Sequence, residues 1–148
     1  MPSIIPSYIY ALFASILVGA IVICACGLST LNVRHIAEKQ QLVNVAEYVA
    51  TQSNELTLHA IRDNTNSTVY LNVPYAIGNQ KYWIQIANDS SKAWVETGFG
   101  AAQNYSEQRA CIPSEVSASG VYTSFSGTAI LECRTDSLGV HLKIYGEK

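Results

Sequence analysis

The chain is divided by its hydrophobic pattern into stretches of different period. From Met1 to Val33 no side chain carries a charge, and Ile9 to Leu28 is predominantly apolar. A soluble core helix or a signal-peptide core rarely sustains more than ~15 apolar residues, whereas a bilayer span needs about 20. At a rise of ~1.5 Å per residue this segment covers roughly the 30 Å hydrocarbon thickness, and Tyr8 and Tyr10 fall where an interfacial aromatic belt forms. The leader ahead of it has no Lys or Arg, which speaks against a cleaved secretory signal, although Ala25, Gly27 and Ser29 mimic a cleavage site. The pattern predicts a retained, single membrane-spanning helix over 1–30.

From Asn32 to Ile61 there is no Pro or Gly, and Ala, Glu, Gln and Leu recur, so the helix is predicted to continue over 31–62. Leu42, Val49 and Leu56 repeat every seven residues, with Val45 or Ala46, Ser53 and Ala60 filling the intermediate positions of the same stripe, which makes one face moderately apolar. The polar cluster Arg62-Asp63-Asn64-Thr65-Asn66-Ser67 suits a helix end. The period then changes to two. Val69, Leu71 and Val73 alternate with Thr68, Tyr70 and Asn72, Tyr82, Ile84 and Ile86 alternate with Trp83 and Gln85, and further strands are predicted near 93–97, 109–112, 120–125, 128–134 and 139–145. The predicted fold class is α+β: a long N-terminal helix followed by a small antiparallel β-sandwich over 63–148.

Charge narrows the function. A net charge of -2 and a pI near 5.9 give no basic field for nucleic acid, so no nucleic-acid partner is expected. His35, His59 and His141 show no metal-ligand spacing, and Asp89-Ser90 and Asp136-Ser137 read as turn formers. With no nucleophile elbow and no phosphate loop either, no enzyme, cofactor or metal site is expected. Cys24 and Cys26 read as apolar fillers of the span. Cys111 and Cys133, both in predicted strands, are candidates for a disulfide that an oxidising compartment would sustain; the alternative is two separate thiols. Asn66, Asn88 and Asn104 begin Asn-x-Ser/Thr glycosylation acceptors in predicted loops. These features favour an extracellular β domain on a cell-membrane anchor. Arg34 and Lys39 just after the span argue for the opposite orientation under the positive-inside rule.

The span can also be read as a packing surface. Ala11, Ser15, Gly19 and Gly27 fall on one row spaced by four, and small residues at that spacing let helix backbones approach closely. Combined with the Leu42, Val49, Leu56 stripe, this gives one helix two candidate assembly seams. The alternative is that Gly and Ala are simply common in spans.

The layout resembles the archaeal type IV pilin and archaellin superfamily, including pilin-like minor proteins and archaellum stator subunits. The segment PSYIYALFASILVGAIVICACGLSTLNVRHIAEKQQLVNVAEYVA carries most of the resemblance, and TVYLNVPYAIGNQKYWIQI resembles the opening hairpin of pilin-like β domains in pattern. No Lys or Arg precedes the apolar helix, and the early-helix glutamate of bacterial pilins is missing, two departures from the family's processing pattern. The resemblance implies an extracytoplasmic domain and helix-mediated assembly. Two functions follow as expectations: a pilin-like structural subunit of an extracellular filament or envelope assembly, a homo-oligomer or partnered by related subunits, or a single-pass anchored β-sandwich that binds an envelope component.

Overall fold

The computed structural model describes residues 4–89, 92–102, 108–113, 116–137 and 139–147. Helix α1 runs from Ile4 to Asp63, and eight strands follow: β1 Ser67–Leu71, β2 Tyr82–Asn88, β3 Ala93–Phe99, β4 Gln108–Ile112, β5 Ser117–Ser119, β6 Val121–Thr123, β7 Thr128–Asp136 and β8 Gly139–Glu147. Two compact units divide the chain at Ala37/Glu38, inside α1. The second part of the helix therefore belongs with the strands. Asn64 ends the helix with φ 49°, the left-handed conformation that Asn tolerates better than most residues after a last turn.

The strands form two four-stranded sheets, one ordered β1-β7-β8-β5 and the other β4-β3-β2-β6. Tyr82, Ile84 and Ile86 of β2, Val95 of β3, Leu131 and Cys133 of β7 and Leu142 and Ile144 of β8 point into one apolar cluster, as strand alternation requires. Leu42, Val45, Val49, Leu56 and Ala60 of α1 enter the same cluster. Ser53 and Thr57 sit in this stripe without orphaned hydroxyls, because Ser53 Oγ donates to the Val49 carbonyl at 2.7 Å and Thr57 Oγ1 to the Ser53 carbonyl at 2.8 Å. The α+β class stands.

Two sequence expectations are corrected. β1 and β2 do not form a hairpin: β1 pairs with β7 and β2 with β3 and β6, in different sheets. The intervening residues fold back locally, with Ile77 and Gln80 bridging each other and Ile77 fully buried. Residues 117–119, expected in a loop, form β5, which pairs in parallel with β8. β5 runs into β6 through Gly120, whose φ of 117° and close approach to the Ile144 carbonyl, where a Cβ would sit 2.2 Å away, admit only glycine. The Gly120 carbonyl accepts from Ile86 N at 3.1 Å, so this short strand pair leaves one sheet and joins the other.

Candidate functional site

Every described side chain from Tyr8 to Gly27 is exposed. An 18-residue window in this helix has a mean hydropathy of 2.6 and none of it is buried, so by length and composition the helix can cross a membrane. The row Ala11, Ser15, Gly19, Gly27 is uncovered. A Cβ added at Gly19 or Gly27 would meet nothing within 4 Å, and Ser15 turns its hydroxyl back onto the Leu12 carbonyl at 2.8 Å. The small side chains are thus not explained by packing within the chain.

The second proposed seam has a different role. Leu42, Val49 and Leu56 are buried by the chain's own strands, with Val49 at 0% exposure. The seven-residue repeat records this helix face meeting the sandwich, and it offers no surface to another subunit. Hydrogen bonds fix the helix in the fold: Tyr48 Oη accepts from Asn72 N at 3.4 Å, and Glu38 Oε2 accepts from Gln80 Nε2 at 3.3 Å.

The candidate disulfide is not formed. Cys111 and Cys133 are both free thiols, Cys111 exposed on β4 and Cys133 buried on β7 of the other sheet. The two lie on opposite phases of alternation, since Cys111 faces solvent between the partly buried Ala110 and the buried Ile112 while Cys133 points into the core. Burial pushes the Cys133 thiol above its ordinary value, against a smaller lowering contribution from Thr57.

Asn66 and Asn88 are exposed, and both amide oxygens hold backbone: Asn66 Oδ1 accepts from Thr135 N and Asn88 Oδ1 from Ala118 N, each at 3.1 Å. Asn104 lies outside the described residues. His35 and His59 are exposed on α1, and His141 Nε2 lies 3.2 Å from Asp136 Oδ2, an ion pair when protonated but without hydrogen-bond geometry. Among the described residues no three His, Cys, Asp or Glu side chains converge as a metal site.

Sequence reading missed two surface clusters. On the outer face of the second sheet, Glu96 Oε1 accepts from Trp94 Nε1 and from Arg109 Nε, both at 2.7 Å, and the Arg109 guanidinium lies 5.5 Å from the centre of the Trp94 ring. Beside it a groove of about 480 Å³ runs between α1 and β4, lined by Glu47, Thr51, Asn54, Arg109 and Cys111 among others. At a different place, Tyr75 and Phe125 meet edge to face with centroids 4.0 Å apart, and Lys81 Nζ lies 5.3 Å from the Phe125 ring centre. Neither cluster has a sequence motif, because each joins residues from separate strands or loops. No family model, curated protein or solved structure matches the chain.

Proposed function

We propose that the chain is a membrane-anchored, pilin-like structural subunit that assembles through the apolar first part of α1 and presents its β-sandwich on the outer side of the cell membrane. One observation carries this reading: the side chains from Tyr8 to Gly27 are all exposed on a helix whose later residues are sealed into the chain's own core. An uncharged helix surface of that length requires apolar surroundings, either bilayer hydrocarbon or neighbouring helices. The uncovered Gly19 and Gly27 support neighbouring helices as part of that environment. The exposed acceptors Asn66 and Asn88 and the low charge support an extracellular sandwich, as does the layout shared with the superfamily the chain resembles.

The second reading, a lone anchor whose sandwich binds an envelope component, is favoured by the burial of Leu42, Val49 and Leu56, which leaves the aqueous part without an apolar assembly stripe. Particle size after gentle extraction from native membranes separates the two. A fibre or defined oligomer that shrinks in Gly19→Leu, with membrane insertion retained, supports the subunit; a monomer unaffected by Gly19→Leu supports the lone anchor. Protease added to intact protoplasts should remove the β domain, and full protection until lysis would reverse the orientation.

A further inference from the structure

We infer that the end of the β domain carrying Tyr75, Lys81 and Phe125 rests in the headgroup region of the bilayer that holds the anchor. The inference rests on the membrane-anchored reading. Tyr75 is 68% exposed and Phe125 40% exposed, although their rings could have been buried in a sandwich that buries Tyr82, Trp83 and Tyr122. Phe125 also adopts φ 73° in the turn between β6 and β7, where Ser126 N donates to the Thr123 carbonyl at 3.1 Å. A bulky residue held in this left-handed region costs on the order of 1–3 kcal/mol, and Gly or Asn is the ordinary choice at such a position. The fold thus holds an aromatic ring outward at the expense of backbone strain.

The position of the cluster identifies its environment. Gly78 packs directly against the Glu38 side chain, so closely that a Cβ there would overlap it, and Gln80 hydrogen-bonds the same carboxylate. Glu38 is the first residue of the compact unit that contains the sandwich. The loop bearing Tyr75 and Lys81 therefore contacts, through Gly78 and Gln80, the residue with which this unit begins in the sequence. Only residues 29–37 separate Leu28 from Glu38, and as helix they span roughly 14 Å, comparable to the depth of a headgroup layer.

The chemistry fits that layer. Tyr and Phe combine apolar rings with an interfacial position, and a Lys beside them keeps its ammonium among phosphates while its stem covers the ring. Within this unit, residues 38–39 and 74–81 hold two cations, Lys39 and Lys81, against one carboxylate, Glu38, a balance complementary to anionic headgroups.

The test uses the full chain in vesicles of phosphatidylcholine and phosphatidylglycerol, with the photoreactive residue p-benzoylphenylalanine introduced singly in place of Tyr75, Phe125, Leu58 or Ile16. Leu58 is an exposed apolar control on α1, twenty residues beyond Glu38. Lipid adducts from positions 75 and 125 should exceed those from 58 several-fold, and Lys81→Glu should lower the yield at 125 several-fold. Adducts from 75 and 125 at the level of 58, or to a second copy of the protein, overturn the inference while lipid adducts from 16 leave anchoring intact. Absence of lipid adducts from 16 overturns the anchoring reading and this inference with it.

Discussion

Gly98→Ala is the smallest change by which the packing of the second sheet can be tested. Gly98 lies opposite Trp83 in the β2–β3 register, and the indole packs against it. A Cβ at position 98 would stand 2.7 Å from Trp83 Cζ2, 2.8 Å from Cε2 and 2.9 Å from Nε1. Carbon atoms in contact need about 3.5–4.0 Å. The ring has little room to withdraw, because Trp83 is only 1% exposed. Two effects of opposite sign compete. Replacing Gly by Ala in a permitted conformation gains ~0.4–1 kcal/mol through the unfolded chain, while forcing a methyl into a packed site costs ~1–3 kcal/mol. The clash is with a rigid ring, so the second effect wins, for a net loss of about 1–2 kcal/mol and a melting temperature lower by roughly 4–8 °C. Calorimetric melting of the full chain in detergent micelles measures this, and the double variant isolates its cause. In a Trp83→Leu background, itself destabilised, Gly98→Ala should be neutral or mildly stabilising. A Gly98→Ala protein as stable as the parent, or one equally destabilised with and without Trp83, would refute the steric account.

Val49→Asp places a charge at a fully buried position and should abolish the folded β domain, read by loss of protease resistance, whereas Gly19→Leu should leave that resistance unchanged. Cys111 should react with a soluble maleimide in the native protein and Cys133 only after unfolding, with no thiol gained on reduction; labelling of neither in unreduced, unfolded protein would restore the disulfide. Burial, and then the neighbouring Tyr122 phenol, push the Tyr82 phenol far above its ordinary value near 10. Because the folded value is raised, this contribution to stability is complete below the ordinary tyrosine value and is lost as pH rises through the folded one. Urea midpoints should therefore fall above about pH 10, where exposed tyrosines ionise first in the 295 nm absorbance. The Thr97 hydroxyl is buried without a partner, so Thr97→Val should raise stability by about 1 kcal/mol in the same urea titration.

The fold was legible wherever one segment's own periodicity decides its structure. The uncharged run before Arg34, the helix end at Asp63 and the alternation of Tyr82, Ile84 and Ile86 are local signals, and each marks the element found there. Periodicity shows that a face is covered but not what covers it. That is why the Leu42, Val49, Leu56 stripe suggested a neighbouring subunit when its partner is the sandwich. Pairing was the least legible feature. The placement of β1 beside β7, and the parallel pairing of β5 with β8, depend on strands far apart in sequence, and three residues as polar as Ser117-Ala118-Ser119 carry no strand signal of their own. The strained turn at Phe125 could have been suspected only from an aromatic residue among Ser and Gly in SFSG, a weak cue.

The burial of the α1 stripe also bears on the order in which the chain can be made. The helix is translated first, yet the core it enters is filled by strands made later; β7 contributes Leu131 and Cys133 to it, and β8 completes it with Leu142 and Ile144. Until those last strands have emerged, the core that Leu42, Val49 and Leu56 enter lacks Leu131, Cys133, Leu142 and Ile144 and stays incomplete. Contacts between distant parts of a sequence form slowly, and exposed apolar surface invites aggregation in the interval. On the membrane-anchored reading proposed above, a nascent chain held in a bilayer by its first thirty or so residues meets fewer copies of itself in solution during that time, and the anchor then serves as a folding safeguard as well. Removal of the last strands should leave the helix inserted and the domain unformed, without a smaller folded intermediate.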